Sequence, residues 1–367
     1  MNIKNIVASI AILMMLQINT YACTGIRLIA DDGSVISGRT MEFSSQLIQF
    51  ELKYIPRHVN FNGESKAGKN GLKWESKHAF VSYFVNDQDY AIEGVNEKGL
   101  AVGGFFFYPY AASSCMRQDD KTDKTLSGNQ LVTWLLSQAS SVEELKTLLP
   151  ELNVIAKKTA IKGWEKVVPV MHYTAYDKTG ASVVIEYIGG KLVITDNPLG
   201  AVTNQPQFSW MQENLKQYTP LPIDQTAPFE KSTMNKRIGL DLGSYKDLPG
   251  RLVSQERFIR AAIFSQNALK MKDADEGTVR VLNILNNFDI PNGYKKSSLD
   301  GGVELVQNAQ WTSVIDVTNQ RFFFRTAENP QLRMISLNKL IESKAQGVKK
   351  LKFDNNFSFD EITIDKF

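Results

Sequence analysis

The sequence predicts an α+β fold of stacked sheet and helix layers. Three observations carry this. Hairpin-like, period-two stretches and helical stretches come in alternating blocks. No strand–helix–strand alternation of the parallel-sheet kind runs through the chain. Neither an internal repeat nor a clean linker divides it. The 367 residues, 43% hydrophobic and 22% charged, have the composition of a soluble globular protein.

In chain order, residues 1–22 read as an export signal. Lys4 supplies the positive start, IVASIAILMMLQI the apolar run, and NTYA a small-residue cleavage site. The run, about 13 residues, falls short of the roughly 20 that a spanning helix needs. Without a twin-arginine pair, the expectation is ordinary export to the periplasm or medium, no stable membrane anchor, and a mature single domain over 23–367. CTGIRLIADDGSVISGRTMEF then reads as two strands turning at Asp32-Gly33. DYAIEGVNEKGLAVGGFFF repeats the pattern, turning at Asn96 to Gly99. Residues 127–149 are expected to be helical, with Ser127 capping a first helix and Ser141 with Glu144 forming a capping box for a second. Three strands follow, in VVPVMHYTAY, SVVIEYIGG and KLVITD, then a long polar connection over 213–250. SQERFIRAAIFSQNALKM and EGTVRVLNILNNF read as helices, Ser254 as the cap of the first. WTSVIDVTNQRFFFRT and LRMISL close the chain as a hairpin and a strand.

The net charge of +3 is too small and too evenly spread for a nucleic-acid or anionic-membrane footprint. Walker, zinc-finger, HExxH and GxGxxG patterns are absent, and GLAVGG lacks the Lys and Ser/Thr of a phosphate loop. With His58, His78 and His172 the only histidines and Cys23 and Cys115 the only cysteines, neither a metal site nor a cofactor is expected. His172, in an apolar stretch, reads as a satisfied core histidine. His58 and His78 flank a polar loop (57–73) with no partner spacing, so nothing points to a Cys/His dyad.

Cys23 falls at the cleavage point itself, and three readings are open there. One is a Cys23–Cys115 disulfide, as exported proteins often carry. Another is lipidation, although Thr-Tyr-Ala lacks the Leu and the small middle residue of a lipobox. The third is an N-terminal nucleophile, whose thiol attacks while its own α-amine accepts the proton. That amine titrates at about 7.7–8.0, against about 10.4 for lysine, so much of it is free base at neutral pH. Such a nucleophile needs cations, a carboxylate and oxyanion donors. Arg39 and Glu42 lie on the strand expected to pair with that of Cys23; the plainer reading is an exposed ion pair on an edge strand. Arg257 falls in the first turn of its helix, against the dipole; the plainer reading is a tolerated surface arginine.

These segments together resemble the choloylglycine hydrolase family, the bile salt hydrolases and penicillin V acylases among N-terminal nucleophile hydrolases. CTGIRL resembles its cysteine start and GRTMEF its G-R-x-(L/M)-D-(Y/F/W) segment. NEKGLAVGG resembles its N-E-(K/H)-G-L run, VTNQPQF its T-N-x-P-x-F, and LPGRLVSQERFIRA its L-P-G-x-x-S-x-x-R-F-x-R. QWTSVIDVTNQRFFFRT resembles its closing hairpin. The resemblance implies a four-layer αββα N-terminal nucleophile hydrolase fold. It also implies that Cys23 is the nucleophile, with Arg39 beside the thiol, Asn204 as oxyanion donor and Arg257 completing the polar network. Phe106 would give a backbone N–H to the oxyanion. Bile salt hydrolases tend to carry Asn there and penicillin V acylases an aromatic residue. Glu42 stands where the family usually has Asp. Met41, Phe43 and the Phe105 to Tyr108 run would flank an apolar acyl site, or form only a buried strand. The implied activity is hydrolysis of a small-molecule N-acyl amide through a thioester, in the manner of penicillin V acylases, N-acyl homoserine lactones among the candidate substrates. The alternatives are conjugated bile salt hydrolysis and, in a different class, a non-catalytic lipoprotein acylated at Cys23. Family relatives are often tetramers, which makes 213–250 a candidate contact in a homotetramer.

Overall fold

The computed structural model describes residues 22–44, 48–68, 70–107, 122–158, 168–218, 248–298 and 304–359. Residues 1–21 of the expected export signal, Tyr108, Cys115 and most of the expected 213–250 connection lie outside them.

Strands β1 (Ala22–Ile29) and β2 (Val35–Phe43) form the first expected hairpin, with Cys23 opposite Met41 and Gly25 opposite Arg39. The turn closes because Asp32 Oδ1 accepts from the Ser34 amide at 2.8 Å and Gly33 adopts φ +87°, which costs glycine nothing. β3 (Phe50–Ile55) opens a second sheet, and β4 (Asn60–Asn62) pairs with β5 (Lys73–Glu75) in a short ribbon. β6 (Phe80–Val85), β7 (Ala91–Asn96) and β8 (Leu100–Phe106) contain the second expected hairpin. β9 (Thr125–Ser127) pairs with β10 (Asn153–Ile155), and helices α1 (Leu131–Gln138) and α2 (Val142–Leu148) lie between them. The three expected strands follow as β11 (Met171–Asp177), β12 (Ser182–Ile188) and β13 (Lys191–Asp196). Helices α3 (Phe208–Leu215), α4 (Ser254–Gln266) and α5 (Ala274–Leu285) precede β14 (Lys295–Ser298) and β15 (Glu304–Asp316). β16 (Arg321–Thr326), β17 (Arg333–Ser336) and β18 (Lys349–Lys350) complete the strands.

One sheet runs β1-β2-β15-β16-β17, with β14 on β15; the other runs β13-β12-β11-β8-β7-β6-β3-β18. Helices α4 and α5 cover the first through β1, β2 and β15, while α1 and α2 cover the second through β7, β8 and β11. The layers therefore run helix, sheet, sheet, helix. Strand β6 carries apolar residues on both of its faces for a reason. Val81, Tyr83 and Val85 face the core between the sheets, and Phe80 and Phe84 the core under α1 and α2. Tyr83 stacks on Trp311 of the other sheet at 4.1 Å. Trp311 Nε1 and Ser313 Oγ both donate to Glu93 on β7, at 3.2 and 2.7 Å, tying the sheets together.

Two expected caps are reassigned. Ser127 precedes a 3-10 turn without capping it, because its hydroxyl donates to Glu64 at 2.7 Å. Ser254 is the first helical residue after the cap Val253; its hydroxyl accepts from the Asn204 amide (2.9 Å) and donates to Thr203 Oγ1 (3.0 Å). Ser141 does cap α2, accepting from the Glu144 amide, while the Glu144 carboxylate returns to the Ser140 amide at 2.7 Å.

The segment before Asn204 docks on β1 through a two-bond bridge, Gly25 N to Val202 O at 2.8 Å and Val202 N to Gly25 O at 2.9 Å. A Cβ on Gly25 would stand 2.8 Å from Phe105 Cζ and 2.9 Å from Val202 Cγ1. Gly25→Ala is therefore expected to destabilise the fold by about 1–3 kcal/mol and to lower activity by displacing Asn204. Thermal unfolding and an amidase assay test this, and an unchanged Tm would refute it.

Candidate active site

Cys23 is 2% exposed and a free thiol, while Cys115, the other half of the disulfide reading, lies outside the described residues. Its thiol faces Met41 Sδ across the hairpin at 3.6 Å, and its backbone nitrogen donates to Asn204 Oδ1 at 2.8 Å. Arg257 lies in the first turn of α4, fully buried, and its guanidinium is spent on the site. Nη1 donates to Cys23 O (2.5 Å) and Thr24 Oγ1 (2.8 Å), Nη2 to Asn204 Oδ1 (2.8 Å), and Nε to Leu252 O (2.9 Å). The surface-arginine reading is thereby excluded.

Arg39 is also buried, because β2 pairs on both sides, with β1 and with β15, and is not an edge strand. Its Nη1 donates to Gly104 O at 2.8 Å, its Nη2 contacts Met41 Sδ at 3.3 Å, and its guanidinium stacks 4.2 Å above the Phe105 ring. Glu42 is fully buried opposite Ala22 in the register. It does not hold the Cys23 nitrogen, which here is a peptide N–H with its single hydrogen given to Asn204.

Burial dominates the electrostatics. It pushes the Cys23 thiol up, against the lowering pull of Arg39 and Arg257 and with a further push from Glu42. It pushes Glu42 up to about 7, against Arg257, Thr40 and Arg39. A thiol held protonated needs a base. Among the described residues, no histidine contacts Cys23. His58 Nδ1 meets Glu75 at 2.7 Å, and His78 Nδ1 stands 4.0 Å from Glu97. His172 is satisfied in the core, as expected, donating from Nε2 to Thr203 O (2.7 Å) with Nδ1 facing Glu186 (3.3 Å).

A narrow cleft of about 60 Å³ opens beside the thiol, apolar along most of its wall. It brings together Cys23, Met41, Glu42, Phe43 and Phe106. Phe105 and Phe107 turn into the core and Phe106 to the cleft, so the two readings of that aromatic run divide by strand alternation. Asn204 Nδ2 donates to Phe106 O at 2.8 Å. The structure thus gathers all eight sequence-selected residues around one thiol, with the bonds and the cleft just described.

A family model for linear amide C-N hydrolases, choloylglycine hydrolase family, matches residues 23–344. The chain belongs to the choloylglycine hydrolase family. It is accordingly a hydrolase of linear amide C–N bonds. A bile salt hydrolase/transferase of Clostridium perfringens (strain 13 / Type A) is 29% identical over 346 residues, 93% of this chain and 99% of its own. A mutant conjugated bile acid hydrolase from Clostridium perfringens has a similar structure, with a TM-score of 0.70 at 26% identity over 93% of this chain and 100% of that one. Penicillin V acylase from Agrobacterium tumefaciens gives 0.69 at 26% identity over 90% and 91%. The helix–sheet–sheet–helix order of this choloylglycine hydrolase family member is the αββα fold that the resemblance implied.

Sequence reasoning missed several residues at this site. Thr24 and Ser254 bond Arg257 and Asn204 directly. His172, held by Glu186, fixes the carbonyl just before Asn204. Tyr90 and Asn129 reach the cleft from other segments. Only Ser254 had a local signal, and it pointed to a cap.

The Glu42 shift has a measurable sign. A carboxyl raised from 4.5 to about 7 on folding makes the native state hold more protons than the unfolded one in that window. Stability of the full-length chain is expected to fall as pH rises from about 4.5 to 7, by a few kcal/mol at most. Glu42→Gln should flatten that slope in denaturant titrations at several pH values. A slope unchanged in Glu42→Gln would overturn the assignment.

Proposed function

We propose that this chain is an exported N-terminal nucleophile hydrolase, penicillin V acylase-like, in which removal of residues 1–22 frees the α-amine of Cys23. One observation carries the reading. A thiol that burial keeps protonated has, within the same residue, a nitrogen positioned 2.8 Å from Asn204 Oδ1, while His172 has both ring nitrogens engaged elsewhere. Once that nitrogen is an amine, it is the nearest base.

In this reading, Cys23 Sγ bonds to the amide carbon and its proton passes to the α-amine, while the carbonyl oxygen becomes an oxyanion. The second hydrogen of Asn204 Nδ2, the first being given to Phe106 O, and the Phe106 backbone N–H would receive that oxyanion. The C–N bond then breaks as the α-ammonium protonates the leaving nitrogen. Water, giving its proton to the same amine, attacks the thioester and releases the acid and the thiol. Arg39 and Arg257 lower the thiol's resistance to ionisation. The carboxylate of Glu42, beside the position vacated by Ala22, would offset the new ammonium. The apolar cleft beside Phe106 supports an aryl or fatty acyl group more than a charged one.

Intact mass after export by a bacterial host tests the first step. A chain beginning at unmodified Cys23 is expected; a diacylglyceryl adduct or an uncut leader would sink the nucleophile assignment. Cys23→Ser should reduce hydrolysis to background, and Asn204→Ala should lower kcat about 10²–10³-fold with little change in KM. Penicillin V should be turned over faster than conjugated bile salts. The opposite order would make this a bile salt hydrolase by preference.

A further inference from the structure

The peptide group that joins Thr203 to Asn204 is gripped at both ends. Its N–H donates to Ser254 Oγ at 2.9 Å, and its carbonyl accepts from His172 Nε2 at 2.7 Å. Because a peptide unit is planar, holding both ends limits the direction in which the Asn204 side chain leaves the backbone. His172 is itself held from several sides. It lies on β11 opposite Phe105 of β8, is buried, stacks on the Phe107 ring at 4.7 Å and 25°, and has Phe105 edge-on at 6.0 Å. Its Nδ1 faces Glu186 Oε1 at 3.3 Å, and that same oxygen accepts from the Phe208 amide at 3.0 Å. The His172–Glu186 pair therefore brackets the turn from Asn204 to Gln207, gripping the residue before it and the residue after it.

We infer that His172, held by Glu186, is a positioning residue of the hydrolysis. Its ring sets the spacing between the Asn204 carboxamide and the Phe106 backbone N–H, the two donors that would receive the oxyanion. One edge of the imidazole holds the residue before Asn204, and one face packs on the residue after Phe106. Asn204 Nδ2 already meets Phe106 O at 2.8 Å, and His172 adds a second, rigid link between the same two stretches. Two donors share an oxygen only when both stand about 2.7–3.1 Å from it, so the part that spaces them acts on rate through geometry. Among the described residues no histidine contacts Cys23, and His172 acts through Asn204 rather than on the thiol. The inference rests on the reading that Asn204 and Phe106 receive the oxyanion.

The test compares variants of the exported enzyme on whichever of penicillin V and conjugated bile salts it hydrolyses faster, with near-UV circular dichroism giving the folded fraction. His172→Phe keeps the stack on Phe107 and loses the donor. Per folded molecule it is expected to lower kcat about 10- to 100-fold with KM within about twofold. His172→Gln, which returns a donor near the Nε2 position, should recover kcat to within about fivefold of wild type. Affinity for the aldehyde bearing the same acyl group, which the thiol converts to a tetrahedral adduct, should fall in step with kcat. Affinity for the acid product should not move. In an Asn204→Ala background, His172→Phe should cost less than about threefold more, because no pair of donors remains to be spaced. A wild-type kcat in His172→Phe, the full further loss in the Asn204→Ala background, or an equal loss of affinity for aldehyde and acid overturns the inference. Should His172→Phe not fold, Glu186→Ala carries the test: kcat lowered at least about threefold at unchanged KM is expected, and an unchanged kcat overturns it. A wild-type kcat in Asn204→Ala instead overturns the oxyanion reading, and the inference with it.

Discussion

A guanidinium shut away from water must have its N–H groups filled, and Arg257 fills its own from three separate stretches of chain. Cys23 O and Thr24 Oγ1 come from the first strand, Asn204 Oδ1 from the loop docked beside it, and Leu252 O from the approach to its own helix. Removing any one of these partners would strand a buried charge, which is far more damaging than losing an exposed ion pair. The strand end, the asparagine loop and the helix therefore hold one another in register around the thiol. The placement of Asn204, with its oxygen on the Cys23 nitrogen and its amide on Phe106 O, follows from that constraint.

The same burial that demands these bonds sets the resting charge of the site. Arg39 and Arg257 both pull the thiol towards ionisation, yet desolvation outweighs them, and it also favours the neutral form of Glu42 near pH 7. In the full-length chain both the thiol and the carboxyl are thus held towards their neutral forms. Two cations are already in place, and a carboxyl group able to answer a third lies against the residue before the thiol. Freeing a charged nitrogen there would change the balance of the whole cluster at once.

Much of this was legible in local sequence. The Asp32-Gly33 turn and the alternation on either side set the hairpin that pairs Cys23 with Met41, and the LPGRLVSQERFIRA and VTNQPQF stretches marked Arg257 and Asn204. What local pattern could not convey was contact between distant stretches. The Arg257 bond to Cys23 spans 234 residues, that of Trp311 to Glu93 218, and that of Tyr90 to Glu64 26. Ser254 was misread for the same reason. A serine before a helix satisfies the capping pattern, but the hydroxyl went to a loop 50 residues away.

The two sheets contribute unequally to the site. The thiol, Arg39 and Glu42 belong to the first, whereas Phe50, Tyr90, Ile92 and Phe106 of the cleft wall come from the second and its connections. In the proposed reading, the nucleophile and much of the surface that would select its acyl group therefore lie on different sheets. On that reading, substitutions along the second sheet would retune the range of acyl groups accepted while the strands carrying Cys23, Arg39 and Glu42 stay untouched. A lineage built this way can diversify its substrates without reinventing its chemistry.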